Sequence, residues 1–460
     1  LNKTIQDKHN LEELLKKTQE EKESIFLKHQ DLINYNGLMI EKNKILEDEN
    51  KLFHEKEKNI YYEMIDALFL NNSDINKFNI SGKPILHFLC ELGNIDLVKY
   101  FISIKTVDIN LIWDDQWKKT ALNVATEKNH AEIVKVLLTH PNINVNIIST
   151  MDQKIDECKH KKIGKTALYT AIENKNVEIV DYLLSHPKID ANIKCEYYEY
   201  NKTKNYKGYE SSWHKTEKTP LSLAVENQSI DIVKLLLSHS KIALDIESLY
   251  NDGTENYILK DDNSSENPKT DTTEKKVSLH IAVENQDVEI VKLLLFHPSI
   301  DANFKSTKRE NWYCEYSNSF GNRWSDSSYY NYEKTALHIA IEIQNIEIIK
   351  LLISCPGIDV NGKYNLSDSY QKKRESALHM AIGNKNIEIV KLLLSCPNID
   401  VNIKDFYHKY YDKYIYERTP LNIAINMRNI DIVKLILENL NIDINKKSTK
   451  KYVEDRWKDN

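Results

Sequence analysis

The chain has 460 residues, 41% hydrophobic and 29% charged, with 63 basic against 69 acidic side chains and a net charge of −6. So small an imbalance gives no global field that would draw in nucleic acid or an acidic partner. With ten glycines and no G-x-x-x-x-G-K-[ST], G-x-G-x-x-G or H-E-x-x-H motif, no catalytic residue, cofactor or metal is expected.

Residues 1–60 are rich in Lys and Glu, with Ile25, Leu32, Met39, Leu46, Phe53 and Ile60 spaced by seven as a heptad seam. The companion positions His29, Asn36, Asn43, Asn50 and Glu57 are polar throughout. The favoured reading is a long solvated helix leading into the repeats, widened by Phe26, Ile33 and Ile40; a weak parallel dimer through 1–60 is the alternative. The start at Leu1 suggests a fragment of something longer, and no secretory signal precedes the body. Residues 61–83, with an apolar run from Met64 to Leu70 and then Ser73-Asp74-Ile75-Asn76, read as a degenerate capping unit.

From Pro84 onward a unit recurs eight times, starting at Pro84, Thr120, Thr166, Thr219, Val277, Thr335, Ser376 and Thr419. Each copy closes 26 positions later, at Asn110, Asn146, Asn192, Asp245, Asn303, Asn361, Asn402 and Asn445. In the sixth copy Leu337, Ala340 and Ile341, then Ile348, Leu351 and Leu352, fall at i, i+3 and i+4, which predicts two short amphipathic helices broken at Gln344-Asn345. Thr335 is placed to cap the first helix, and Pro356 cannot extend the second. Such a pair exposes both broad sides of its apolar stripe, so stacking of neighbours must supply the missing burial.

The segments T-A-L-H-I-A (Thr335 to Ala340), T-P-L-S-L-A (Thr219 to Ala224), S-L-H-I-A (Ser278 to Ala282) and I-D-V-N (Ile358 to Asn361) carry a family resemblance. With them the chain resembles the ankyrin repeat family over about residues 61–445. The resemblance implies an all-α fold, a solenoid of stacked helix pairs over 84–445 with long inserted fingers, preceded by the helical segment 1–60 and the capping unit. It also implies a non-enzymatic scaffold that binds other proteins. His87, His280, His338 and His379 match the family's T-P-L-H histidine, whose expected role is structural, near the hairpin base. The chain departs from the family in placing His-Pro or Cys-Pro (His140-Pro141, Cys355-Pro356) where Gly-Ala is usual. Lys446 to Asn460 resembles the opening of a further finger, or a C-terminal tail.

Start-to-start spacings of 36, 46, 53, 58, 58, 41 and 43 residues exceed the family period of about 33, and the excess lies in the fingers. Fingers 193–218, 304–334 and 403–418 are crowded with Tyr and Trp, and Gly321-Asn322 suits a hairpin turn. Finger 246–276 is acidic, rich in Ser, Asn and Asp, and is expected to be disordered. Aromatic side chains on a rigid scaffold give large contact area at low rotamer cost, so Trp213, Trp312, Tyr313, Trp324, Tyr410 and Tyr411 stand out as anchors for a protein partner. Biased codon usage filling unconstrained loops is the bland alternative; it would not enrich tryptophan, yet five of six tryptophans lie in fingers.

A single-stranded RNA-binding array is a second reading, since bases could stack on the same rings. The three aromatic fingers carry only +2, +1 and +1 (six bases against four acids, five against four, four against three), too little for the salt-dependent attraction RNA requires. A passive spacer for domains outside this stretch is the third. His140, His186, His239, His297, Cys355 and Cys396 occupy one equivalent position, but stacked units set equivalent atoms roughly 10 Å apart, so a repeat consensus is favoured over a metal ladder. Six cysteines without a C-x-x-C pair fit a reducing, cytoplasmic setting, and no apolar run is long enough to insert in a membrane.

Overall fold

The computed structural model describes residues 74–77, 79–114, 117–154, 158–205, 208–259, 265–317 and 323–452. The helix or weak coiled coil expected over 1–60, residues 61–73 of the capping unit and residues 453–460 of the tail lie outside them. Two compact units divide the chain at residue 75, and the repeats occupy the second, residues 76–460.

Among the described residues the helices of this second unit come in eight pairs: α1 (Ile85–Leu92) with α2 (Ile95–Ile102), α3 (Ala121–Glu127) with α4 (Ala131–Leu138), α5 (Ala167–Glu173) with α6 (Val177–Leu184), and α7 (Pro220–Glu226) with α8 (Ile230–Ser238). Then come α9 (Ser278–Glu284) with α10 (Val288–Leu295), α11 (Ala336–Glu342) with α12 (Ile346–Ile353), α13 (Ala377–Gly383) with α14 (Ile387–Leu394), and α15 (Pro420–Asn426) with α16 (Ile430–Leu437). Helices of seven to nine residues are too short to persist alone; what holds them is the packing of each first helix on the next first helix and each second on the next second. Leu337, Ala340, Ile341, Ile348 and Leu352 are all fully buried between units.

Local chemistry fixes the helix ends. Thr120, Thr166, Thr219 and Thr419 accept, through their hydroxyls, the backbone N–H three residues on. Asn94, Asn176, Asn345, Asn386 and Asn429 do the same for second helices. The break between helices uses a left-handed residue, Gly93 in the first unit but Asn129, Lys175, Gln228, Gln286, Gln344, Lys385 and Arg428 in the rest. The closing asparagines bind units together. Asn361 donates Nδ2 to the Asn398 carbonyl at 2.7 Å and accepts from the Asp400 N–H at 2.8 Å. Asn110, Asn146, Asn192, Asn303 and Asn402 repeat this two-way bond.

The fingers overturn the all-α expectation: 31% of the described residues lie in strands against 35% in helices. Thirteen strands form one sheet: β3 (Ser149–Lys154), β4 (Lys159–Lys165), β5 (Cys195–Asn205), β6 (Gly208–Lys218), β7 (Ser248–Leu259), β8 (Ser265–Lys276), β9 (Lys305–Ser317), β10 (Arg323–Thr335), β11 (Lys363–Asp368), β12 (Gln371–Ser376), β13 (Phe406–Lys409), β14 (Tyr414–Glu417) and β15 (Thr449–Tyr452). A short hairpin of β1 (Asn79–Ile80) and β2 (Lys83–Pro84) stands apart from it. Each strand of the large sheet pairs antiparallel with its sequence neighbours, within a finger and between fingers. The reason is a match of spacings. A two-stranded hairpin is about 9.5 Å wide at 4.7–4.9 Å per strand, and packed helices stand about 8–10 Å apart, so hairpins carried one per unit arrive at hydrogen-bonding distance from each other.

The same match corrects the expectation of disorder over 246–276. β7 pairs with β6 from Gly208↔Ile258 to Glu217↔Leu249, and β8 pairs with β9 from Ser265↔Ser317 to Lys275↔Thr307. Composition argued only that this finger cannot fold by itself; neighbours on both sides supply the ladder that its own apolar content could not. Thr254 and Thr270 join hydroxyls at 2.8 Å across its strands, and Lys269 meets Glu255 at 2.9 Å.

Candidate partner-binding face

Strand side chains alternate between faces, and a repeated ion pair identifies which face meets the helices. The residue before each unit start is Lys83, Lys119, Lys165, Lys218, Lys276 and Lys334 in the first six units. Each pairs with the glutamate eight positions on at the end of the first helix, Glu91, Glu127, Glu173, Glu226, Glu284 and Glu342. Distances run from 2.5 to 2.7 Å in the last five. Lysine-bearing positions therefore lie on the helix-side face of the sheet, and the intervening positions on the far face.

Tyrosines are interleaved with these ions. Tyr250 lies between the Lys218 and Lys276 ammonium groups, 5.1 and 5.2 Å from its ring centre, and its hydroxyl donates to Glu226. Lys334 stands 4.4 Å from the Tyr332 ring centre and 6.0 Å from that of Tyr364. Burial, then the neighbouring carboxylates, push the Tyr250, Tyr332 and Tyr364 phenols up. Glu91 is held below the usual carboxylate range by its hydrogen bond from Lys83, whereas burial outweighs Lys276 and raises Glu284. The row is readable as a Lys–Glu spacing of eight in six units, a signal that the aromatic count alone misses.

The six residues expected to act as anchors are divided among different places. Trp312, opposite Ser328 in the register, is on the helix-side face, where it lines a 420 Å³ cleft with Thr270, Thr272, Tyr330, Asp368 and Tyr370. Tyr313 is on the far face, its hydroxyl donating to Glu315 at 2.9 Å. Trp213 is also on the far face and half-buried, opposite Gly253. Trp324 is opposite Tyr316 in the register, and its side chain lies outside the described ones. Tyr410 joins hydroxyls with Tyr329 at 3.0 Å, and Tyr411, 86% exposed, leans on the exposed ring of Tyr370 with centres 6.4 Å apart. Tyr370 thus links the Trp312 cleft to Tyr411.

The T-P-L-H histidines are structural, as expected. Nε2 of His87, His280, His338 and His379 lies 2.9–3.3 Å from the carbonyl oxygens of Lys119, Phe304, Gly362 and Arg418, at the bases of fingers. Burial pushes His280, His338 and His379 down to about 4. Of the column that resembled a metal ladder, His140, His186 and His297 each accept, through Nδ1, the N–H two residues on. Among the described residues no three potential metal ligands come together, and no helix is long and apolar enough to cross a membrane.

Comparison with known proteins gives one consistent result. A model of three ankyrin repeats matches residues 55–149, 199–306, 256–405 and 364–448, and a single-repeat model matches 164–193. No curated protein matches. Among crystal structures, the chain is similar to EF0377, an ankyrin repeat protein, with 19% identity and a TM-score of 0.35 over 60% of this chain and 98% of that one. It is similar to the ankyrin repeat domain of Bcl-3, a member of the IkappaB family (16%, 0.33, 76% and 97%), and to that of human ASB11 (17%, 0.35, 68% and 98%). With the repeat models covering most of its length, the chain belongs to the ankyrin repeat family.

Proposed function

We propose that the chain is a protein-binding scaffold whose recognition surface is the finger sheet together with the first-helix faces it overhangs, with Trp213, Trp312, Tyr313, Trp324, Tyr410 and Tyr411 as anchors. Ankyrin repeats are in general protein–protein interaction modules. The observation that carries the finer reading is the continuity of the sheet: thirteen hydrogen-bonded strands hold the aromatic fingers in fixed register. Rings so held lose little entropy on binding, which separates a recognition surface from loop filler. The near-neutral fingers support a protein over RNA.

The test is capture of partners from cell extract, with nuclease present, on the native chain and on one carrying alanine at all six anchors. The reading expects specific proteins that survive nuclease and are lost from the alanine chain, with circular dichroism unchanged. The same proteins on both chains would refute the anchors, and loss on nuclease treatment would favour RNA.

A further inference from the structure

The Lys–Glu pair present in six units is missing from the last two. In the seventh unit the lysine position holds Glu375 and the glutamate position Gly383; in the eighth they hold Arg418 and Asn426. The charges have moved onto the sheet side. Glu375 takes Lys373 at 2.6 Å, and Arg418 takes Asp405, whose side chain is fully buried, by Nε at 3.0 Å and by a second guanidinium bond. What has gone is the bulk at the helix ends: nothing stands within 4 Å of the site of a Cβ on Gly383.

A cavity of 640 Å³ opens there, between the helix-side face and the ends of α13 and α15. Its apolar lining is Tyr364, Leu366, Met380, Tyr407, Ile423 and Met427, and the uncharged polar side chains of Gln371, His379, Asn384 and Asn426 share the wall. Its ionic groups already have partners in the chain: Lys373 with Glu375, Arg418 with Asp405, and Glu342 with Lys334. A charged group entering would be desolvated with no counter-ion waiting for it, whereas an apolar one would gain contact with two rings and two thioethers that adapt their shape.

We propose that this cavity is a socket for one uncharged apolar side chain, of the Leu, Met, Phe or Trp kind, presented by a partner polypeptide. The proposal rests on the protein-binding reading and names the chemistry of one anchor point within it. Clefts that take up one side chain of a partner concentrate binding energy in single residues. The ladder explains the size of the socket: the corresponding space between the second and third units, lined by Lys119, Glu127, Lys165 and Glu173, is a cavity of only 250 Å³.

The socket carries its own reporters, since two of the chain's five methionines line it and Met151, buried in β3, serves as a control. The full chain, labelled with ¹³C in its methionine methyls and assigned by Met→Leu variants, is titrated with the N-acetyl amides of leucine and tryptophan, and with those of glutamate and lysine. The expected result is a saturable shift of Met380 and Met427 with the first two, none with the charged pair, and a still Met151. Gly383→Glu, which restores the residue found in the first six units and favours the helix, should abolish the response with the protein still folded. No shift at the two methyls, equal shifts with the charged amides, or an undiminished response in Gly383→Glu would overturn the socket. The six-alanine chain leaves Gly383, Met380 and Met427 intact. A silent socket beside anchor-dependent partner binding refutes this inference alone, and a responsive socket with anchor-independent binding refutes the finger anchors alone.

Discussion

The indole of Trp213 lies across Gly253 of the neighbouring finger, in the space that any side chain at 253 would occupy. Glycine is thus required there by a ring, not by its backbone. A cross-strand aromatic covering a glycine restores packing that the bare strand lacks. Gly253→Ala should expel the indole, costing about 1–3 kcal/mol as overpacking does and shifting tryptophan fluorescence. In the Trp213→Ala background the same substitution should cost almost nothing. Equal costs in the two backgrounds, measured by urea unfolding, would contradict this.

Val277 stands where the sixth and seventh units have Thr335 and Ser376. In those units the hydroxyl meets His338 Nδ1 at 2.7 Å and His379 Nδ1 at 2.8 Å. Val277 offers nothing, and His280 Nδ1 is buried without a partner. Val277→Thr supplies both the missing partner and a helix cap, and should stabilise the chain by about 1 kcal/mol. The check is the urea midpoint of the variant, which should rise at unchanged slope.

At Asp245 the inter-unit bond keeps its accepting half, from the Asp301 backbone, but not its donating half: the carboxylate cannot donate when ionised, and its pKa is raised by burial and by the Asp301 charge. A raised folded-state pKa means stability that is present in acid and lost as pH climbs through that value. Asp245→Asn removes the repulsion and restores the donor, so it should stabilise by about 1 kcal/mol at pH 7. The gain should shrink as the pH is lowered toward the carboxylate range. A gain independent of pH would show that the charge plays no part.

His280, His338 and His379 give the opposite slope. Folded, each stays neutral down to about 4; unfolded, each takes up a proton near 6.5. The unfolded state therefore binds more protons between those values, and stability falls as pH drops from 6.5 to 4, on the order of 1–2 kcal/mol per histidine by pH 5. Urea midpoints at pH 7 and 5 measure the loss. Replacing all three by glutamine should flatten the profile even where it lowers stability overall.

The helices were legible because their signals are local: the i, i+3, i+4 spacing of Leu337, Ala340 and Ile341, the capping threonines and the asparagines before second helices all act within four residues. The sheet was legible only in part: Trp312, Cys314 and Tyr316 alternate before the Gly321-Asn322 turn, but alternation within one finger does not name the neighbouring finger, and the partner of Trp213 lies 40 residues away. The acidic finger 246–276 carries no strand signal of its own, and pairs only because the units beside it bring β6 and β9 within reach. Which face each aromatic occupies was likewise hidden: Trp312 and Tyr313 are adjacent in sequence and opposed in space. The Lys–Glu spacing of eight was present in the sequence, and so was its lapse at Gly383 and Asn426. Its meaning as an opening needed the angle between sheet and helices.

Unit spacing, matched to the width of a hairpin, turns all the long fingers into one sheet. Amide hydrogen exchange over 248–259 and 265–276 probes this at its most exposed point, because these are the strands whose own composition gives them least reason to form. Both strands should be protected in the native chain, and 248–259 should lose its protection when strands β5 and β6 alone are replaced by a short turn. Exchange at unstructured rates in the native chain would contradict the spacing match.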